Sequence, residues 1–177
     1  MTASYNKQAP QALSEQTQKV VDAFNRLDTD AKLAWLYYAY KKMGDSITPA
    51  APAAAEPELA PRLIGDEYLQ LSDDEQLAIM RQIVNREDTE HSRAYGAIKE
   101  NNQLFVWYAW AVAMGKNVVD IPGNYKATDA INNVLSQIEG LDFEEQMSVL
   151  RTIVGQMGYT AVKPIETQAQ TGKTASL

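Results

Sequence analysis

The segment LSDDEQLAIMRQIV, residues 71–84, carries the pattern that best predicts the fold of this chain. Ser72 and Glu75 have the spacing of a capping box, in which two side chains satisfy backbone N–H groups at a helix start. The apolar residues that follow recur at helical spacing, which predicts a helix through about Asn85. The segment therefore indicates a helix that packs one face against a core.

A similar segment, LDFEEQMSVLRTIV, occupies residues 141–154. The leucine, the Glu-Gln pair, the arginine and the Ile-Val pair recur in register, and the stretch from Leu27 is a looser third copy. Either an internal duplication or the repeated use of one good helix start explains this echo. Both explanations favour packed helix hairpins over a sheet.

Further helices are predicted along most of the chain, because capping residues precede apolar-periodic runs. Gly44 and Gly158 follow two of these runs and are predicted to end their helices. The pattern predicts helices that begin near Ser14, Thr29, Asp66, Thr89, Leu104, Thr128 and Asp142, the last with a second capping box to Glu145.

The domain organisation follows from composition. Residues 1–12 are polar and predict a disordered arm, and residues 161–177 predict a flexible polar tail. Residues 13–160 form the predicted helical domain. The Pro/Ala-rich stretch 48–61 interrupts it as an extended connector, because proline ends helices.

Charge and composition exclude several classes of function. The net charge is −7 without a Lys/Arg cluster, which argues against a nucleic-acid partner. Cysteine is absent, so disulfides and thiolate metal sites are excluded. No apolar run is long enough to cross a membrane and no secretory signal is present, so the sequence predicts a cytoplasmic protein rather than an integral membrane protein.

Catalytic signals are weak. The single histidine, His91, lies in a charged stretch with Glu87 one turn earlier, which is too few ligands for a metal site. We expect an ordinary exposed residue there. The acidic clusters near Asp73 and Glu144 fall in first helical turns, where they complement the helix dipole. The sequence therefore predicts a protein that is not an enzyme.

Aromatic and methionine residues crowd certain predicted helices. Three stripes share the spacing i, i+4, i+7 and comprise Leu33, Tyr37 and Tyr40; Trp107, Ala111 and Met114; and Met147, Arg151 and Val154. Plain core packing explains such stripes. A ligand site is the alternative, because a dry core seldom collects many Tyr and Trp side chains and rarely includes an arginine such as Arg151.

The ordered set of short motifs resembles the N-terminal domain of the orange carotenoid protein family. The similar stretches are Ala39–Gly44 with Ile47–Pro52, Asn85–Thr89, Phe105–Tyr108, Ile121–Tyr125, Val149–Arg151 and Met157-Gly158. They keep their order from about Val20 to Tyr159, which is most of the chain.

The resemblance implies an all-α fold of two interleaved four-helix bundles with a ligand tunnel between them. It also implies a non-covalently bound ketocarotenoid, such as canthaxanthin, echinenone or 3'-hydroxyechinenone. The positions that would contact this pigment by resemblance are Leu33, Tyr37, Tyr40, Met80, Ile83, Trp107, Tyr108, Ala111, Met114, Ile121, Tyr125, Met147, Arg151 and Val154. All three stripes are among them.

The sequence departs from the two-domain members of the family. They carry a second, mixed α/β domain that this sequence lacks, and the arginine matching Arg151 pairs there with a carboxylate of that domain. The family position that matches Tyr37 is often tryptophan, and the one that matches Met147 is often a β-branched aliphatic residue. The chain therefore looks like the stand-alone helical carotenoid proteins, with a pigment that does not photoswitch.

The resemblance implies cyanobacterial photoprotection, and the first hypothesis is a singlet-oxygen quencher and constitutive carotenoid carrier. A second is docking on the phycobilisome, the light-harvesting antenna at the thylakoid surface, with dissipation of its energy as heat. A third is a pigment-free helical interaction module. A separate homologue of the C-terminal domain is a candidate carotenoid donor.

Overall fold

The computed structural model describes residues 13–47 and 60–161. The predicted arm, nearly all of the connector and nearly all of the tail lie outside the described residues. The helices are α1 (Glu15–Asn25), α2 (Thr29–Ile47), α3 (Pro61–Ile64), α4 (Asp66–Leu69), α5 (Asp73–Val84), α6 (Glu90–Gly96), α7 (Glu100–Ala113), α8 (Asp129–Glu139) and α9 (Phe143–Gly155).

Polar side chains cap most of these helices as the sequence predicts. Ser72 accepts from Glu75 N, and Glu75 accepts in return from Ser72 N, which completes the predicted capping box. Ser14, Thr89 and Thr128 each accept from the backbone N–H three residues on. The predicted all-helical class is confirmed, since the described residues contain only one isolated bridge, Met114 to Val118, and no strand.

Three helix boundaries differ from the prediction. α2 continues through Gly44 to Ile47, so Gly44 does not end the helix, and an added Cβ there would meet no atom of the described residues within 4 Å. α7 begins at Glu100, four residues before its apolar run. α9 ends at Gly155, whereas Gly158 takes the left-handed φ of 79° three residues later.

The structure also differs from the sequence predictions at the second capping box, at His91 and at the end of the Pro/Ala-rich connector. Asp142 accepts from Glu145 N, but the Glu145 carboxylate accepts from Ser14 Oγ at 3.3 Å, so the second capping box is one-sided. His91 is half-buried rather than exposed. Pro61, the last residue of the predicted connector, is already the first residue of α3, a position where proline loses no hydrogen bond.

The packing of the helices divides them into two groups that share α2 and α7. On one side α1, α8 and α9 pack against one another. On the other side α5 packs on α6, and α3 packs on α4 and α6. α2 contacts both α8 and α5, and α7 contacts both α9 and α3, so these two helices belong to both groups. None of the helices in the described ranges combines the length and hydropathy needed to cross a membrane.

Candidate functional site: an apolar cavity

An apolar cavity of about 210 Å³ lies between α2, α5, the second half of α7 and the segment 114–125. Its side chains are chiefly aliphatic, aromatic and methionine. The lining residues are Asp30, Leu33, Ala34, Leu36, Tyr37, Tyr40, Leu77, Met80, Arg81, Trp107, Trp110, Ala111, Met114, Val119, Asp120, Ile121, Pro122 and Tyr125. We call this space the cavity.

Nine positions predicted by resemblance line this one cavity. They are Leu33, Tyr37, Tyr40, Met80, Trp107, Ala111, Met114, Ile121 and Tyr125. The first two stripes of the sequence lie on facing helices, α2 and α7, and both stripes are directed into the same space. Tyr40 Oη donates to Leu104 O at 2.8 Å, which joins the two helices at this side of the cavity.

The other five predicted positions do not line the cavity. Ile83, Met147 and Val154 are buried core residues. Together with Tyr95, which hydrogen-bonds the backbone of Val154, we call them the packed region. Tyr108 is half-buried, with its ring centroid 6.2 Å from that of Tyr40.

The third stripe therefore splits between core and surface. Met147 and Val154 are 4% and 0% exposed, whereas Arg151 is exposed and donates from Nε to Asn101 Oδ1 at 3.2 Å. A charged residue between two core positions is accommodated because the guanidinium extends into solvent. The packing explanation that the sequence left open describes this stripe in the structure.

The polar atoms of the three buried aromatic side chains that line the cavity are hydrogen-bonded to residues outside it. Trp110 Nε1 donates to Leu63 O at 2.8 Å, and Trp107 Nε1 donates to Tyr95 Oη at 2.9 Å. Tyr40 donates to a backbone carbonyl, and burial raises the pKa of its phenol far above the usual value, so it stays neutral. The rings thus present apolar faces to the cavity without leaving a buried donor unsatisfied.

A buried glutamine holds the segment that closes the cavity after α7. Gln76 Oε1 accepts from Val119 N at 2.8 Å, and its Nε2 donates to Asn117 O at 2.9 Å. Gly115 takes a φ of 77° in the turn between Met114 and this pair. The sequence reasoning did not single out Gln76, although a glutamine among apolar residues at core spacing is the signal that could have found it.

Charged residues border the cavity on one side. Arg81 donates from Nε and Nη2 to the two Asp30 oxygens at 2.8 and 3.1 Å, which bridges α5 and α2. The hydrogen bonds that Arg81 donates to Asp30 raise the pKa of Arg81. Partial burial raises the pKa of Tyr125. The cavity thus has an apolar interior and a charged, solvent-facing edge.

The chemistry of the lining suits an apolar ligand. Within residues 13–47 and 60–161, no three His, Cys, Asp or Glu side chains converge as metal ligands. Flat aromatic faces and adaptable methionines contact a polyene without needing hydrogen bonds from it. These residues therefore fit one part of a carotenoid.

The cavity is smaller than a whole carotenoid requires. Pockets for drug-sized ligands have volumes of about 300–1,000 Å³, against about 210 Å³ here. A space of this volume accommodates at most part of such a ligand. The remainder of a long ligand must extend past the charged edge or displace side chains of the packed region.

Several lining residues were not predicted. Trp110 is one of four aromatic residues between positions 105 and 110, and Leu77 and Val119 carry no distinguishing signal in a single sequence. Asp30 and Asp120 carry no such signal either, since charged residues rarely border an apolar site. Their position becomes apparent only when α2 and the segment after α7 are placed together.

Comparison with known proteins identifies the family. A profile described as "Orange carotenoid protein, N-terminal" matches residues 10–160. An orange carotenoid-binding domain-containing protein of Nostoc is 42% identical over 78% of this chain and 81% of its own length. The orange carotenoid-binding protein of Synechocystis is 36% identical over 79% of this chain, which spans 44% of that relative.

Solved structures share the fold. The red carotenoid protein of Anabaena (Nostoc), described as binding canthaxanthin, superposes with a TM-score of 0.72 at 30% identity, over 81% of this chain and 99% of that one. The orange carotenoid protein of the same organism, also described as binding canthaxanthin, gives 0.75 at 31% identity over 87% of this chain and 50% of that one. With a profile match along most of its length, the chain belongs to the family of the orange carotenoid protein N-terminal domain.

Proposed function

We propose that this protein binds a ketocarotenoid non-covalently, with one end of the pigment in the cavity, and serves in photoprotection as a singlet-oxygen quencher and carotenoid carrier. The observation that carries the proposal is the convergence of two aromatic stripes, from α2 and α7, on one apolar space. Relatives described as binding canthaxanthin support the choice of ligand.

Burial of apolar surface is the driving force for binding. A carotenoid that buries roughly 500 Å² gains on the order of 10 kcal/mol at about 25 cal/mol per Å², before the costs of ordering. Trp107 and Tyr40 supply flat surfaces, and Met80 and Met114 adapt to the rest. Ala111 lets the pigment approach the backbone of α7.

The protein's part in quenching is to hold the pigment and to shield it from water. A bound carotenoid accepts the excitation energy of singlet oxygen and releases it as heat. That process needs no acid, base or nucleophile. The buried phenol of Tyr40 and the indoles of Trp107 and Trp110 are neutral and hydrogen-bonded outside the cavity, so they add no charge beside the polyene.

Expression in a host that makes canthaxanthin tests the proposal. We expect a coloured purified protein, a carotenoid identified by extraction and mass analysis, and a shorter singlet-oxygen lifetime than with the pigment-free protein. A colourless product would refute pigment binding and favour the interaction module. A coloured product without effect on the lifetime would refute quenching alone.

Two variants give this experiment a matched control. Trp107→Ala with Tyr40→Ala removes two rings that line the cavity, and we expect loss of the pigment. Trp35→Phe changes a fully buried tryptophan of α2 that does not line it. Pigment that is lost from the double variant and retained in Trp35→Phe would locate the binding site at the cavity. Equal pigment content in both would refute it.

A separate homologue of the C-terminal domain is proposed as the source of the pigment. Arg151 supports this proposal, since it is exposed on α9 beside Asn101 and is available to a carboxylate of a partner. Mixing a pigment-loaded homologue with the apo-protein should transfer colour, and Arg151→Gln should slow the transfer. Transfer at an unchanged rate would remove Arg151 from the interface.

A further inference from the structure

Trp107 contributes to the cavity wall, yet its polar atom is bonded outside it. The indole is nearly fully buried, and Nε1 donates to Tyr95 Oη at 2.9 Å. Tyr95 does not line the cavity. The orientation of a ring that faces the proposed ligand is therefore tied to a residue the ligand does not touch.

Tyr95 is itself fixed by three neighbouring parts of the chain. Its hydroxyl donates to Val154 O at 2.7 Å on α9, and its carbonyl accepts from Gln103 Nε2 at 3.1 Å on α7. Its ring lies against the backbone of Gly158, where an added Cβ would come within 2.5 Å of Tyr95 Cδ1. Burial raises the pKa of Tyr95 well above its usual value, so the hydroxyl remains both donor and acceptor.

The neighbouring tryptophan provides the contrast. Trp110 also lines the cavity and meets Trp107 edge-to-face at 5.0 Å, but its Nε1 donates to the carbonyl of Leu63. No side-chain substitution removes a backbone carbonyl. For Trp107 the acceptor is a side-chain oxygen, so one substitution removes it and leaves a buried N–H without a partner.

We propose that Tyr95 is a positioning residue for the pigment site: it fixes the tilt of the Trp107 ring against the carotenoid through the Trp107–Tyr95–Val154 hydrogen-bond chain. This inference rests on the carotenoid binding proposed above. It also connects the cavity to the packed region, because the chain ends on a backbone carbonyl of α9.

The test is Tyr95→Phe in the pigment-loaded protein. We expect the visible circular dichroism of the bound pigment to change and its affinity to fall about five- to tenfold, which is the usual effect of a buried donor without an acceptor. Trp107→Phe keeps an aromatic ring but removes the donor. In that background Tyr95→Phe should add nothing to the pigment signal, because the bond is already absent.

Tyr68→Phe is the matched control. Tyr68 is also buried and donates to a backbone carbonyl, that of Gln76 at 3.3 Å, but no indole N–H in the described part of the chain donates to it: Trp110 stacks on its ring at 4.9 Å, a contact that phenylalanine keeps, and donates to Leu63 O. We expect it to leave the pigment's circular dichroism unchanged. The same spectral change in Tyr68→Phe, a full effect of Tyr95→Phe in the Trp107→Phe background, or no effect of Tyr95→Phe at all would each overturn the proposal.

A second readout separates this proposal from carotenoid binding itself. In the pigment-free protein, Tyr95→Phe should shift the NMR resonance of the Trp107 indole N–H strongly and that of Trp110 weakly. If no pigment binds but this shift occurs, the function fails and the positioning stands. If pigment binds and the resonance does not move, the positioning role fails alone.

Discussion

The cavity and the packed region are built from the same kind of helix face. Leu33 and Tyr40 on α2 have the same i, i+7 spacing as Met147 and Val154 on α9, yet the first pair borders a space of about 210 Å³ and the second is closed core. The difference comes from the elements that face each helix across the contact. α2 faces α5, Ala111 and a segment held back by Gln76, whereas α9 faces fully buried core side chains. The spacing of apolar residues therefore predicts which face of a helix is buried, but not whether that face borders a cavity or packed side chains.

The largest expected effect contrasts truncations in the two regions. Ile83→Ala removes a fully buried side chain and should lower the free energy of unfolding by about 2–5 kcal/mol, because it leaves a new void. Leu33→Ala widens an existing cavity at a half-buried position and should cost about 1 kcal/mol in the pigment-free protein. Urea unfolding followed by circular dichroism measures both. Equal losses would mean that the cavity wall is packed as tightly as the core.

Enlarging an alanine tests the same contrast in the opposite direction. Ala39→Leu places extra volume where the side chain is 0% exposed and should cost about 1–3 kcal/mol. Ala111→Leu fills part of the cavity and should leave stability within about 0.5 kcal/mol while reducing the pigment content. Thermal unfolding and the pigment-to-protein absorbance ratio are the measurements. A destabilised Ala111→Leu protein that still binds pigment would contradict the assignment.

Unfolding measured at alkaline pH tests whether water is excluded equally from the cavity and from the packed region. Burial raises the phenol pKa of Tyr40 beside the cavity and of Tyr95 in the packed region. Each contribution to stability is fully present below the unfolded pKa of about 10 and is lost as pH rises through the folded pKa, at about 1.4 kcal/mol per pH unit. Tyr40→Phe and Tyr95→Phe should each reduce this slope in pH-dependent unfolding. Tyrosinate absorbance from folded Tyr40 near pH 10 would show that water enters the cavity.

The smallest effect concerns the charged edge. Asp30→Asn weakens the ion pair between Asp30, whose side chain is 61% exposed, and Arg81, whose side chain is 46% exposed. Because both charges are largely in solvent, the substitution should change the free energy of unfolding by less than about 1 kcal/mol. The change should shrink further as salt is added. Urea unfolding at low and high ionic strength measures it. A larger loss that resists salt would mean that this edge belongs to the packed structure rather than to solvent.

Helix starts with a side-chain cap were predictable from the sequence, because their chemistry is local, whereas α7, which has no such cap, begins four residues before its predicted start. Ser72 and Glu75 need only each other and the backbone between them, and the structure contains both of their bonds. Helix ends were less predictable. Gly44 resembles a terminator but lies inside α2, whereas Gly158 is needed beyond α9, where its N–H donates to Ile83 O at 2.8 Å. That requirement depends on α5, which the local sequence around Gly158 does not contain.

The candidate site was predictable in part, for a related reason. Resemblance and spacing selected both walls of the cavity from α2 and α7, but they also selected Ile83 and Val154, which are core. They did not select Gln76, whose bonds to Asn117 and Val119 set the position of the closing segment. Which apolar face stays open depends on long-range contacts of this kind.

The contact between α1 and α9 has a consequence for biosynthesis. From Asn25 to Phe143 the ribosome must add 143 − 25 = 118 residues, which takes roughly 6–24 s at about 5–20 residues per second. During that interval α1 has been made and Phe24 can pack against Trp35 of α2, but α9, which contacts α1 in the folded protein, has not yet been made. Part of the apolar face of α1, which includes Val20 and Val21, therefore stays uncovered until α8 and α9 emerge from the ribosome.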